Sequence, residues 1–397
     1  MVTLATAILI GLALAGYLTL VRNQNSMVAR SQAWNAALVS AEAGIEEAFA
    51  NVNNDMPKLR TNGTAWSASR TMSGGSYSVS YAAYPATNAP IFYATGYCTV
   101  PSLSATLVRV IRVQTVASSL FSSALVALGN IDMKGNNIMT DSFNSTNGAY
   151  ANGPHGTNGD VASINGLVNV GSANINGDVL LGAGNTNSLQ SITNSINQNN
   201  GKVTGTIAND FNMDLPTASL PKDFTNPFNG FPSGGNKYPG YANAALASGD
   251  YTLPNGLTTS LIVPSNKTVR LYIGGNVKIT TSPGITVQQG GNLTIYMDGS
   301  SFSVSGNGAL NVGGTAASFT YIGLTNNTSI SMAGSASFTG TIYAPNADLK
   351  ASGNGAIYGS VLVKSAALSG NFSFHYDDAL AGSPMIRGYV GSSWREL

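Results

Sequence analysis

The chain opens on 21 residues, Met1 to Val21, without a charged side chain, and the first charge is Arg22. As a helix rising about 1.5 Å per residue, such a run spans roughly 31 Å, the thickness of a bilayer's hydrocarbon core. A secretory signal peptide would need a basic start, a shorter apolar run and a small-residue cleavage site. No basic residue precedes this run, and helical patterning continues through its end. Trp34, Ala37, Leu38, Ala41, Ile45, Ala48, Phe49 and Val52 recur mostly three or four apart, one apolar stripe on a helix. The spacing predicts a single helix of about 50 residues, stopped near Asn53, Asn54, Asp55, Met56 and Pro57. Its first half is apolar all round and must lie in lipid or against copies of itself. Its second half must bury a stripe on a domain of the same chain.

Ordinary soluble domains are roughly a quarter charged; here the figure is 9%, with 18 basic and 17 acidic residues and a net charge of +1. A phosphate-binding face needs clustered Lys and Arg, so nucleic acid is not an expected partner. Disorder is not expected either, because 43% of the residues are apolar and recur in short alternating runs that can bury a core. Cys98 is the only cysteine and there are two histidines, too little for a disulfide framework or a Cys-rich metal site. No cofactor and no metal is expected.

From Gly74 to Ala117 the pattern is that of strands. Tyr77, Val79 and Tyr81 alternate, Ile91 to Val100 is β-rich, and Leu103 to Val116 contains Arg109 and Arg112. Three antiparallel strands against the helical stripe are predicted, with Cys98 a small buried hydrophobe rather than a nucleophile.

After Leu120 a repeat takes over. Phe338 to Ala344 and Ile357 to Val363 align at a spacing of 19, which places Ile342 with Val361, Ile330 with Leu349 and Leu368, and Phe319 above Phe338. Short pairs such as Leu271/Ile273, Leu293/Ile295 and Leu310/Val312 continue the texture upstream, and Ile131 to Leu181 shares it. Strands of three to five residues in coils near 20 residues predict a parallel β-helix. Low charge fits, since like charges stacked about 4.8 Å apart would repel. By strand alternation Val361 points inward and Ser360 outward. Asn185 to Asn200 reads as a short helix. Residues 216–254 hold six of the fifteen prolines with Phe224, Phe228, Phe231, Tyr238, Tyr241 and Tyr251, an insertion outside the coils; its aromatics either pack locally or meet a partner. The predicted fold is therefore an α+β part, a long N-terminal helix (1–56) with a small antiparallel sheet (57–120), followed by a mainly-β parallel β-helix (121–380) and a C-terminal cap (381–397).

The stretch Ser40-Ala41-Glu42-Ala43-Gly44-Ile45-Glu46-Glu47-Ala48, behind an uncharged helix, resembles the Ala-Glu-Ala stretch of PilX-type type IV pilins. Phe372 to Leu380 with Gly388-Tyr389-Val390 and Trp394 resembles the ends of those that carry β-helical heads. The resemblance implies a subunit held in the inner membrane, cut by a prepilin peptidase and passed by the pilus assembly machinery into a homo-oligomeric helical filament on the cell surface, serving adhesion or surface interaction. It implies a polymerisation helix using Met1, Leu4, Ile8, Leu12, Ala15 and Leu18, with Met1 the processed, methylated end. Most such pilins carry Glu at the fifth mature position, where this chain has Ala5, and no carboxylate occurs before Glu42. Either packing alone sets the register of assembly, or residue 1 is not the mature end. The alternatives are a minor or tip pilin, a plain single-span anchor with Glu42, Glu46 and Glu47 on a solvated face, and a membrane-anchored β-helix that binds or cleaves polysaccharide.

Polysaccharide cleavage needs clustered carboxylates. From Leu257 to Tyr376 the only acids are Asp298 and Asp348. The best candidate pair is Asp132 with Asp141, near Lys134; His375 beside Asp377 reads as part of a polar cap on the last coil. No nucleophile-elbow, zinc-protease or phosphate-loop motif is present, and the chain is not expected to be an enzyme.

Overall fold

The computed structural model describes residues 2–54, 58–101, 104–183, 192–194, 201–221, 224, 246–257, 260–280, 282, 284–311, 314–383 and 385–397. They fall into two compact units, Met1–Leu120 with Pro384–Leu397, and Phe121–Ser383.

The first unit is built on one helix, α1 (Val2–Val52). None of residues 2–32 is buried; the buried stripe is Ala33, Ala37, Ser40, Ala41, Gly44, Ile45, Ala48 and Val52. It runs at the predicted spacing but one residue round from Trp34, which is 46% exposed and carries the Arg109 guanidinium over its ring at 4.7 Å. Small residues dominate the stripe because backbone meets backbone there: a Cβ at Gly96 would run into the Ala37 carbonyl. Ser40, buried among them, donates to the Ala36 carbonyl at 2.9 Å, which satisfies a hydroxyl that would otherwise be costly to bury.

The sheet under α1 has six antiparallel strands rather than three. They are β1 (Lys58–Leu59), β2 (Trp66–Met72), β3 (Gly75–Tyr81), β4 (Ile91–Thr99), β5 (Thr106–Ser119) and the C-terminal strand Met385–Glu396, in the order β1, C-terminal strand, β5, β4, β3, β2. The cap expected over 381–397 is thus corrected: most of that segment is a strand inside the small sheet. Ile386 and Tyr389 explain it, because they complete the apolar cluster of Ile45, Val52, Tyr81, Phe92 and Val113 beneath the helix. Each fully buried side chain of that size contributes roughly 1.5–3 kcal/mol. Asn53, just past α1, fastens the strand: its amide donates to the Tyr389 carbonyl at 3.0 Å and its carbonyl accepts the Tyr389 N–H at 2.7 Å.

The second unit is a solenoid of short parallel strands. One inward ladder defines it: Tyr251, Leu271, Ile295, Tyr321, Ile342 and Val361 stack in turn, and Val361 then abuts Leu125, followed by Val161, Val179 and Ile207. The last coil therefore docks on the first. From that junction the chain winds outward to Ile207, resumes at the far end with Tyr251, and winds back. Three described residues between the two blocks lie against the coils. The Tyr343 hydroxyl donates to the Pro216 carbonyl at 2.5 Å, Ala218 bridges Leu324, and the Phe224 ring lies against Tyr296 and beneath the Arg270 guanidinium. The predicted insertion is shorter than 216–254, since Gly249–Leu253 is a ladder strand, with Tyr251 level with Leu271 and Leu253 with Ile273. Phe228, Phe231, Tyr238 and Tyr241 lie outside the described residues, as does the predicted helix 185–200 except for helical residues 192–194.

The repeat is less regular than a fixed spacing of 19. Ile342 faces Val361 at that offset, but Tyr321 faces Ile342 at 21 and Ile295 faces Tyr321 at 26. Phe319 is accordingly not level with Phe338, although their rings meet at 5.2 Å. Ile330 pairs with Leu349, whereas Leu349 pairs with Ala366 and not Leu368. The cause is a two-residue shift between Ala344 and Asp348, where Pro345 cannot donate to the ladder. Ser360 is also corrected: it is fully buried and donates to the Ser123 carbonyl at 2.6 Å. At the preceding residue a short 3-10 turn, Ala316–Ser318, approaches so closely that a Cβ at Gly359 (φ +140°) would lie 3.1 Å from the Ala316 methyl.

Candidate functional site

Of the polymerisation residues, Leu4, Ile8, Leu12, Ala15 and Leu18 are all exposed, with Leu4 and Leu12 at 67% and 66%; Met1 lies outside the described residues. Mean hydropathy reaches 2.2 over an 18-residue window of α1, and none of that window is buried. By length and composition α1 could cross a membrane. Thr6 and Thr19 do not interrupt this surface, because they return their hydroxyls to carbonyls three or four residues back. Residues 2–41 include no carboxylate. Residues 2–21 offer a large apolar surface with no charged side chain to orient a partner.

Beyond the bare half, the unit closes with ion pairs on the helix-facing side of the sheet. Glu47 accepts from Arg70 at 2.8 and 2.5 Å and from the Tyr77 hydroxyl at 2.7 Å. Its carboxyl is held below the ordinary value by those bonds, Arg70 first. Arg109 pairs with Glu396, which ties β5 to the C-terminal strand. Cys98 is buried and free, its thiol donating to the Gly74 carbonyl at 3.1 Å.

In the solenoid the polar residues singled out from sequence separate. Asp132 takes Lys134 at 2.7 Å and the Asn169 amide at 3.0 Å. Asp141 belongs to a different cluster, on which both histidines of the chain converge. His375 Nδ1 lies 2.5 Å from Asp141 Oδ1 and its Nε2 lies 2.9 Å from Ser373 Oγ; His155 Nδ1 lies 3.8 Å from Asp141 Oδ2. Tyr150 donates to Asp141 at 2.6 Å and sits between the imidazoles, with ring centroids 4.1 Å from His155 and 3.8 Å from His375. Burial, and then the bond to Asp141, push the Tyr150 hydroxyl well above its ordinary value.

The order Ser373, His375, Asp141 is the hydrogen-bonded order of a hydrolase triad. Its surroundings are those of a closed joint. Tyr358 lies on His375 at 4.9 Å, Tyr150 covers it from another side, and His375 and Asp141 are 3% and 2% exposed. Ser373 donates its backbone N–H to Gly355 within the ladder. The cluster sits where the last coil meets the first, Ser373 to Asp377 pairing with Met139 to Phe143, and the excursion that carries Tyr150 and His155 latches over that seam. Asp377, which sequence set beside His375, instead accepts the N–H groups of Ser145 and Ala379. The scarcity of histidine was the one sequence signal for this cluster. The partners lie 234 residues apart, and no spacing rule reaches that far.

Residues 244–383 match a family model described as a domain of unknown function (DUF7305). No curated protein matches the chain. Among solved structures it is similar to the competence-associated pilin ComZ from Thermus thermophilus, with 11% identity, a TM-score of 0.34, and 91% of this chain and 97% of that one covered. It is also similar to an ice-binding protein from an Antarctic biological consortium, at 14% identity and a TM-score of 0.35, with coverage of 64% and 87%. The ice-binding protein_1 DUF3494 domain of Shewanella frigidimarina gives 12% and 0.26, with coverage of 66% and 98%. Likeness at this level says nothing of function, and the functional reading has to come from the chain's own geometry.

Proposed function

We propose that the chain is a structural subunit of a type IV pilus-like bacterial surface filament, held in the inner membrane before assembly and polymerising through the bare half of α1. One observation carries this reading: a single unbroken helix has no buried residue before Ala33, and from there its stripe is sealed against an antiparallel sheet. An apolar cylinder without a covering domain needs either lipid or other copies, and a helix continuous with a folded head can pass from one to the other without refolding. Processing by a prepilin peptidase, delivery by the pilus assembly machinery and a role of the solenoid in adhesion belong to the same reading. The role is structural and not catalytic, which the covering of His375 by tyrosine rings supports. Electron microscopy of producing cells with gold-labelled antibody to the solenoid tests it. Label along filaments is expected. Label at filament tips alone makes the chain a minor subunit, and label on the membrane with no filaments overturns polymerisation.

A further inference from the structure

The small sheet has a second face, opposite α1, and its chemistry is unlike that of a solvated surface. Tyr93, Val108, Val116 and Val390 are each 43–46% exposed. In their midst Arg112 on β5 stands directly across from Arg395 on the C-terminal strand. Like charges at opposed positions of adjacent strands are destabilising. Arg112 donates to the Tyr93 hydroxyl at 3.2 Å, and among the described residues neither arginine has a carboxylate within ion-pair distance. Glu396, the one described acid on this sheet, is turned to the helix side, where it holds Arg109. Exposed tyrosine and arginine amid aliphatic side chains are what the centres of protein interfaces are rich in.

The matching charge lies on α1. Glu42 and Glu46 are exposed, share one face at a spacing of four, and form no ion pair among the described residues. Val39, 59% exposed, extends that face. Within one copy α1 covers the other side of the sheet, so its glutamates cannot reach Arg112 and Arg395. A second copy has no such restriction.

We infer that the open sheet face, centred on Tyr93, Arg112 and Arg395, receives the Val39–Glu42–Glu46 face of α1 from a second copy of this chain. The inference rests on the filament reading above and deepens it. The two surfaces differ, so the contact is head-to-tail and repeats into an open polymer and not a closed dimer. It also supplies what the bare helix lacks: apolar attraction is non-directional, residues 2–41 carry no carboxylate to set a register, and a two-charge contact between heads sets one.

Charge reversal in the full chain tests this. Filament mass per cell is measured for wild type, for Glu42→Lys with Glu46→Lys, for Arg112→Glu with Arg395→Glu, and for all four changes together. Each pair is expected to lower filament mass at least tenfold, and the four together to restore it to within about threefold of wild type. The neutral pairs, Glu42→Gln with Glu46→Gln and Arg112→Gln with Arg395→Gln, are expected to give intermediate losses and guard against misfolding in the reversed ones. Unchanged filaments in either reversed pair, or losses that the combination does not restore, overturn the inference while leaving the filament reading intact. A wild type that forms no filaments overturns both.

Discussion

Leu12 and Val361 are both aliphatic residues in weakly charged stretches, and the molecule uses them in opposite ways. Leu12 is 66% exposed on a helix with nothing around it; Val361 is fully buried between Ile342 and Leu125 in the solenoid ladder. A helix satisfies its backbone hydrogen bonds within itself and can stand alone with its apolar side chains unspent. A β-strand cannot: each coil needs a neighbour for its N–H and C=O groups, and stacking seals the side chains as it does so. Apolar surface on α1 is therefore left exposed, whereas in the solenoid it is buried between coils.

The largest effect that would break this contrast is Leu12→Asp. A carboxylate among packed apolar helices costs several kcal/mol unless it is neutralised or paired, so filaments should vanish from cell-surface preparations. The melting temperature of the β-rich part should stay within about 1 °C of wild type, because Leu12 touches none of it; a large drop would mean that α1 is not independent. Next in size is Val361→Asp, which buries an unpaired charge at about 4 kcal/mol or more, or roughly 10 °C in melting temperature for a unit of this size. Ser360→Asp should also destabilise clearly, against the outward placement read from alternation, because its hydroxyl is buried on the Ser123 carbonyl. A neutral Ser360→Asp would show that the Ser360 contact with Ser123 is absent in solution.

The seam at Asp141 gives a smaller and sharper test. His375→Ala leaves Asp141 short of its partner and should cost about 1–3 kcal/mol in thermal or denaturant unfolding, while Ser373→Ala, at the rim, should stay within about 0.5 kcal/mol. Equal losses would mean that all three residues act as one unit. The smallest effect is a gain. Burial, more than the charges of Asp178 and Asp378, raises the Asp160 carboxyl above its ordinary 3.8. The ionised form is thus disfavoured on folding, and wild type loses stability as pH rises from 3.8 through the raised value. Asp160→Asn keeps an acceptor for the Asp178 N–H without the charge. It should melt slightly higher than wild type at pH 7, with the advantage disappearing below pH 3.8; an advantage that persists in acid would point to packing instead.

Some of the molecule could be read from residue order with little loss. The uncharged run, the stripe from Ala37 to Val52 and the inward placement of Ile342 and Val361 depend on neighbours within a turn or a strand, where helical and strand periods leave a direct imprint. The Arg112–Arg395 opposition and the convergence of His155 and His375 on Asp141 had no comparable imprint. Their members are brought together by pairing across hundreds of residues, and each looks ordinary in its own segment.

Local periodicity, then, was enough to make α1 a long half-naked helix and to say which side of most coils faces inward, since both follow from burying apolar side chains at a repeat of 3.6 or 2. It could not say which coil stacks on which. Every coil presents a similar row of N–H, C=O and aliphatic groups to its neighbours, so Val361 against Leu125 is no more foreseeable than several other pairings. The complete packing decided that, and with it the outward winding from the seam, the burial of Ser360 on the Ser123 carbonyl and the return of Met385–Glu396 to the small sheet. Only the folded chain compares all those edges at once, and it settles on the arrangement that leaves the fewest apolar side chains and backbone groups without a partner.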